Sequence, residues 1–189
     1  MEPAIEGKLS LADYLQLEQD QAMRYEYHDG EVFAMSGGAP KHGAIAINVS
    51  TLLSNALSGN CRVFNSDVKI YISSISKGLY PDVSVACRPI EQMQEVNGIT
   101  NPVLLVEVLS PSTADHDRAA KFRHYSRLAS FREYVLIEQE TWTVETRYRS
   151  SADTPWEMDW FEGESTELIL RSLNIKLPMS EIYRETDDL

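Results

Sequence analysis

The chain predicts a mixed α/β (α+β) fold, in which a mixed β-sheet flanked by helices is opened by an N-terminal β-hairpin and closed by a C-terminal meander of strands. Three observations lead there. Asp29-Gly30 separates two short runs of strand-forming residues, and that dipeptide suits the two positive-φ positions of a type I′ turn. Residues 102–110 are almost wholly apolar, as a central strand covered on both faces must be. Apolar residues between Pro40 and Leu57, and again between Ala119 and Leu128, recur at helical spacing.

Ser10 and Asp13 form a capping box, with Leu11, Tyr14, Leu15 and Leu17 at helical positions, so a short helix opens the chain. Residues 25–28 and 31–35 flank the Asp29-Gly30 turn as a hairpin. Pro40 suits a first helical turn, and Ile45, Val49, Leu52, Leu53, Ala56 and Leu57 make a core-facing helix that Gly59-Asn60 stops. Residues 63–72 read as one strand, 73–78 as a turn and 81–86 as a second strand. After the central strand, Ser112 or Thr113 can cap a helix whose buried side carries Ala119, Ala120, Phe122, Tyr125 and Leu128. Strands at 134–137, 141–148, 156–161 and near 168–170 follow, with a short helix after Pro178. No repeat, linker or low-complexity tract divides the chain, so residues 1–189 are expected to form one domain.

Lys and Arg number 17 against 29 Asp and Glu, a net charge of −12. This disfavours a generally basic nucleic-acid coat or membrane-surface binder, because phosphate affinity comes mainly from cations that displace counterions. The charge is uneven: residues 1–132 carry a net of −3 and residues 133–189 a net of −9. Between Asp115 and Arg132, five basic residues, Arg118, Lys121, Arg123, Arg127 and Arg132, outnumber two acids for a local net of +3. With only Cys61 and Cys87, neither a disulfide framework nor a four-cysteine zinc site is available, which fits a reducing, cytoplasmic setting. The N-terminus lacks the basic start and apolar run of a signal peptide, and no apolar stretch is long enough to span a bilayer.

Glu107 is the anomaly. A carboxylate inside Val103-Leu104-Leu105-Val106-Glu107-Val108-Leu109 is costly to bury unless it is paired, protonated or bound to a cation. It lies at the end of a central strand, where open α/β sheets place their sites. Asp82, at the start of a neighbouring strand, can supply a second carboxylate, and two such groups suffice to hold Mg²⁺ when waters and substrate oxygens complete the octahedron. Taken singly, each residue also has a plainer reading: Asp82 as a strand-start residue, Glu107 as the partner of a buried Arg, Lys121 as a surface ion pair with Asp117, Glu26 as an exposed hairpin residue. His28, His42, His116 and His124 form no close ligand pair and read as structural or exposed. Gly37-Gly38 lacks the Lys-Ser/Thr of a phosphate loop, and Ser110 and Ser112 sit in no nucleophile motif.

Tyr80-Pro81-Asp82, then Glu107-Val108-Leu109-Ser110, then a helix with Lys121 and Tyr125, resembles the Uma2 (DUF820) family of endonuclease-like proteins. The segment Arg24-Tyr25-Glu26-Tyr27-His28-Asp29-Gly30-Glu31, His42 and the stretch 132–137 resemble it too. The resemblance implies a restriction-endonuclease-like fold of the PD-(D/E)xK superfamily, with Asp82 matching the aspartate and Glu107 the second acid. The chain departs from that motif two residues after the acid, where Leu109 stands on the same strand face in place of lysine. The resemblance implies that the lysine has moved to the following helix as Lys121, with Tyr125 one turn on, and that Glu26 is a further acid.

The expected function is therefore Mg²⁺- or Mn²⁺-dependent hydrolysis of DNA phosphodiester bonds. Asp82 and Glu107 would hold the metal, and Lys121 would position the nucleophile. Glu26 would assist, and Arg123, Arg127 and Tyr125 would touch substrate. A homodimer is expected, without an identifiable methyltransferase or specificity partner. Two other functions fit the same residues: a non-catalytic protein-interaction module that keeps the fold, and a metal-dependent hydrolase of a small phosphorylated substrate.

Overall fold

The computed structural model describes residues 4–5, 7–20, 25–34, 38–111 and 113–189, so Arg24, Met35, Gly37 and Ser112 lie outside the described residues. The capping box forms as expected. The Ser10 N–H donates to Asp13 Oδ2 and the Asp13 N–H to Ser10 Oγ, both at 3.2 Å, opening α1 (Leu11–Asp20). The hairpin β1 (Tyr25–His28) and β2 (Glu31–Ala34) turns on Asp29 at φ 52° and Gly30 at φ 95°, the positive pair that a type I′ turn demands. Helix α2 (Pro40–Ala56) buries Ile45, Val49 and Leu53, whereas Ala56 is exposed and Leu57 closes the helix with its N–H on the Leu53 carbonyl.

Residues 63–72 are not one strand. The chain turns at Ser66-Asp67, leaving β3 (Cys61–Asn65) in one sheet and β4 (Lys69–Ile72) in the other. Residues 73–78, read as a turn, end in β5 (Lys77–Leu79), and β6 (Val83–Cys87) returns beside β3. Cys61 and Cys87 stand opposite one another on β3 and β6 and are joined by a disulfide, a cross-link that residue counting did not anticipate.

Two short strands, β7 (Gln92–Met93) and β8 (Gly98–Ile99), complete the first sheet, in the order β2-β1-β5-β4-β8-β7. The second sheet contains β9 (Pro102–Leu109), β10 (Glu133–Glu138), β11 (Thr143–Tyr148) and β12 (Glu157–Glu162) in the order β12-β11-β10-β9-β6-β3. Strand β9 runs parallel to β10 and antiparallel to β6, at the middle of that sheet. A separate pair, β13 (Glu167–Leu170) and β14 (Ile175–Pro178), leads into α5 (Met179–Ile182).

The alternation along β9 separates two cores. Leu104, Val106 and Val108 pack with α2 and the C-terminal elements, while Leu105 and Leu109 pack with Tyr125, Phe131, Tyr134 and residues of the first sheet. Each buried aliphatic side chain contributes about 1.5–3 kcal/mol relative to exposure. The connection from β9 to β10 is α3 (Ala114–His116), a π-helical turn (Asp117–Lys121) and α4 (Phe122–Tyr125) in one continuous run. Thr113 makes no side-chain cap; its hydroxyl faces that of Ser110 at 3.0 Å. Of the side chains expected to face inward here, Tyr125 and Leu128 are buried but Ala119 is exposed. No helix among the described residues is long and apolar enough to cross a membrane.

Some of the acidity of the C-terminal third is internal. Glu133 is fully buried and accepts the Arg171 N–H at 3.0 Å, the Ser172 N–H at 2.9 Å and the Ser172 hydroxyl at 2.7 Å. Glu133→Ala strands two backbone donors, so unfolding in urea is expected to show a loss of about 2–3 kcal/mol. A loss below about 0.5 kcal/mol, the range of a bland surface change, would contradict this account.

Candidate active site

The register of the second sheet sets two acids side by side. Val83 pairs with Val106 in the antiparallel β6–β9 ladder, which brings Asp82, one residue earlier, across from Glu107. The Val108 N–H donates to Asp82 Oδ2 at 2.7 Å and anchors that carboxylate on the neighbouring strand. His42 Nε2 approaches the same oxygen at 3.2 Å from α2. That hydrogen bond raises the His42 pKa against the opposing effect of burial. Gly38 lies close over the imidazole: a Cβ there would come within 2.9 Å of His42 Nδ1.

Glu107 points to the other core, toward the helical connection. Lys121 Nζ donates to Glu107 Oε2 at 3.1 Å, and the Tyr125 hydroxyl donates to Oε1 at 3.2 Å. The ammonium is also 3.1 Å from Asp117 Oδ1 and 3.8 Å from Glu26 Oε1. Glu26 reaches the cluster from β1, with its Oε2 at 3.2 Å from His28 Nε2. The π-helical turn presents both Asp117 and Lys121 to the interior, a local widening of the helix of the kind often found at functional sites.

Four carboxylates, those of Glu26, Asp82, Glu107 and Asp117, thus act on one ammonium. Burial alone would lower the Lys121 pKa; these acids, Glu107 foremost, reverse that and raise it, so the ammonium stays charged. Burial raises the Glu107 pKa well above the ordinary carboxylate value, and the charges of Asp117 and Asp82 add to the effect while Lys121 opposes it. Burial also acts to raise Glu26, but its hydrogen bond to His28 and the charge of Lys121 prevail and lower it. The surplus of negative charge is a donor set suited to a divalent cation. Among the described residues, no group of three or more His, Cys, Asp or Glu is arranged to hold a metal by itself. Mg²⁺ is commonly held by one or two carboxylates with water and substrate oxygens completing its octahedron, and Asp82 and Glu107 are the residues here that could serve in that way.

These groups line a cleft of about 650 Å³ together with Gln139 at the end of β10. Asp82, Glu107, Lys121 and Glu26 all face it, as does His42, which the sequence reading treated as structural or exposed. Tyr125 does not. It is fully buried behind Glu107, with its hydroxyl on that acid, and is not part of the cleft lining. Arg123 and Arg127 are exposed and lie outside the cleft lining. Sequence reading missed Asp117 and Gln139. Gln139 is buried, and its Oε1 has no hydrogen-bond partner among the described residues. The available signal for His42 was its place three residues before Ile45, on the buried stripe of α2.

The comparisons with known proteins agree with this architecture. The family model Uma2, described as "Putative restriction endonuclease", matches residues 11–180. "Uncharacterized protein slr1290" of Synechocystis sp. (strain ATCC 27184 / PCC 6803 / Kazusa) is 38% identical over 178 residues, covering 94% of this chain and 92% of its own. A second Synechocystis protein, "Uncharacterized protein sll1609", is 33% identical over 162 residues, 85% of this chain and 91% of its own. In fold, the chain is similar to the crystal structure of "a putative nuclease belonging to DUF820" from Anabaena variabilis ATCC 29413. The TM-score is 0.69 at 16% identity, over 90% of this chain and 97% of that one. With the family matched along most of its length and the fold shared, the chain belongs to the Uma2 family.

Proposed function

We propose that the protein is a Mg²⁺- or Mn²⁺-dependent endonuclease that hydrolyses DNA phosphodiester bonds at the cleft between β6, β9 and the helical connection. The observation that supports this reading most is the convergence of Asp82, Glu107 and Lys121, from two strands and a helix, in one acid-rich cleft. A phosphodiester is repelled by such a cleft unless a cation intervenes, and the surplus carboxylates hold one. Asp82 and Glu107 would hold the metal, which would supply a water of lowered pKa and neutralisation of the phosphate charge. Lys121, fixed between Glu107 and Asp117, holds its ammonium where an attacking water is oriented and developing negative charge is stabilised. Glu26, 3.8 Å from the ammonium, joins Glu107 in keeping Lys121 charged. Leu109 leaves the position of the strand lysine apolar and packs in the second core, and the ammonium beside Glu107 is supplied from the helix by Lys121.

The test is incubation of the purified chain with supercoiled plasmid, single-stranded DNA and branched DNA in Mg²⁺, in Mn²⁺ and in EDTA. Metal-dependent nicking that disappears in Glu107→Gln is the expected result. Absence of cleavage on every DNA, with no calorimetric signal for either metal, would sink the proposal and favour the interaction-module reading.

A further inference from the structure

Asp82 stands one residue before β6, outside the ladder that begins at Val83, so its carboxylate takes its direction from side-chain contacts and not from the sheet. Both contacts it makes fall on one oxygen. The Val108 N–H at 2.7 Å and His42 Nε2 at 3.2 Å meet Oδ2, while Oδ1 has no partner among the described residues and is not buried. Asp82 lines the cleft, so Oδ1 is the oxygen it can offer there. His42 itself is held firmly. It belongs to the first turn of α2, whose Ile45 and Val49 are buried with Val106 and Val108 of β9, and the Val108 backbone hydrogen-bonds the imidazole as well. Gly38 leaves room for the ring: a Cβ there would come within 2.9 Å of Nδ1, closer than real contacts allow. The Asp82 and His42 side chains are each only 18% exposed, too shielded for a loose surface pair.

We propose that His42 is a positioning residue for the metal site: together with the Val108 N–H it clamps Oδ2 of Asp82 and so presents Oδ1 to the cation in one orientation. The inference rests on the metal site of the nuclease reading and gives a role to a residue that reading leaves out. A carboxylate held at neither oxygen samples several rotamers and loses that freedom when it binds an ion. Held at one oxygen, it is already oriented, and the lone pairs of the other stay available. Orientation matters most for Mg²⁺, which demands near-ideal octahedral geometry. Partners that hydrogen-bond a ligating carboxylate are typically worth about 10–100-fold in metal affinity or activity. Gly38 serves the same end at one remove, since a larger residue there would displace the ring that reaches Asp82.

The test is calorimetric titration of the purified chain with Mn²⁺ alone and with Mg²⁺ alone, beside the nicking assay over a range of metal concentrations. Wild type is compared with His42→Leu, which removes the donor, and with His42→Gln, whose amide N–H can take the place of Nε2. A third variant, Gly38→Ala, pushes the imidazole aside without altering its chemistry. His42→Leu and Gly38→Ala are expected to weaken metal affinity about tenfold and to raise the metal concentration for half-maximal nicking by the same factor, whereas His42→Gln stays within about threefold of wild type. The rate at saturating metal should change less. Urea unfolding without metal separates a merely structural role, which would lower metal-free stability and leave the affinity unchanged. If His42→Leu does not fold, Gly38→Ala and His42→Gln carry the comparison. Wild-type metal affinity in folded His42→Leu or in Gly38→Ala overturns the positioning role, and the nuclease reading then stands on the nicking by wild type. Affinity in His42→Gln as weak as in His42→Leu overturns it too. If the chain binds metal, weakens as expected in the variants and cleaves no DNA, the positioning role stands and the nuclease reading falls. If wild type binds neither metal and cleaves no DNA, both fall.

Discussion

Lys121→Met is expected to lose about 3–5 kcal/mol of stability at pH 8, because it removes the one ammonium shared by four acids and leaves buried carboxylates uncompensated. The loss should shrink on acidification. In the wild-type fold the Glu107 pKa already lies well above the ordinary value of 4.5, and without the ammonium it rises further. A carboxyl whose folded value is raised costs stability above that value and nothing below its unfolded one, so the deficit closes as pH falls toward about 4.5. Urea unfolding at pH 8 and pH 5 measures both limits. Cleavage at the permissive pH should still be about 10²–10³-fold lower than wild type, since the positioned cation is gone. A small loss that is the same at both pH values would show that Lys121 is not the counter-charge of this cluster.

Asp82 separates structure from chemistry. Its Oδ2 accepts the Val108 N–H and faces His42, so Asp82→Ala leaves a strand donor unpaired and should cost about 1–3 kcal/mol. Asp82→Asn keeps an acceptor for that N–H with one charge fewer. It should melt within about 1 kcal/mol of wild type and yet lose about 10³-fold or more in nicking, together with the thermal stabilisation that excess Mg²⁺ gives wild type. Differential scanning calorimetry with and without Mg²⁺, beside a nicking assay, checks the three quantities. Undiminished nicking by Asp82→Asn would remove this residue from the metal site.

Glu107 was legible because it interrupts an apolar run on a strand buried on both faces, a local contradiction that needs no tertiary information. The hairpin, the capping box and the central helix were legible for the same reason, as short-range geometry written in a few residues. Asp117 was not, because an i,i+4 acid–lysine pair has the same spacing whether it lies in solvent or, as here, in the interior. Residues 63–72 misled because apolar alternation continues across a turn, and only the partition between two sheets divides them. Cys61 and Cys87 meet through strand register, a long-range property that counting cysteines does not contain. His42 and Gln139 come to the cleft from positions far from Asp82 and Glu107 in sequence, so their place there depends on how α2 packs on β9 and how β10 pairs with it.

The π-helical turn at Asp117–Lys121 makes the site sensitive to chain length in a way that substitutions do not probe. A π turn holds one residue more than the regular helix around it, and an α-helix advances about 100° per residue. Deleting Ala119, which is exposed, would let this stretch wind as ordinary helix. Because a π turn winds more loosely per residue than an α-helix, the flanks would stay nearly in phase, and Asp117 and Lys121 would stand three residues apart in place of four. Every side chain of the cluster would still be present, but the ammonium would approach Glu107 from a helix that lacks the local widening. The acids on β6 and β9 would keep their register, so the chain encodes the ammonium's position separately from that of the carboxylates, as a count of residues in a single turn.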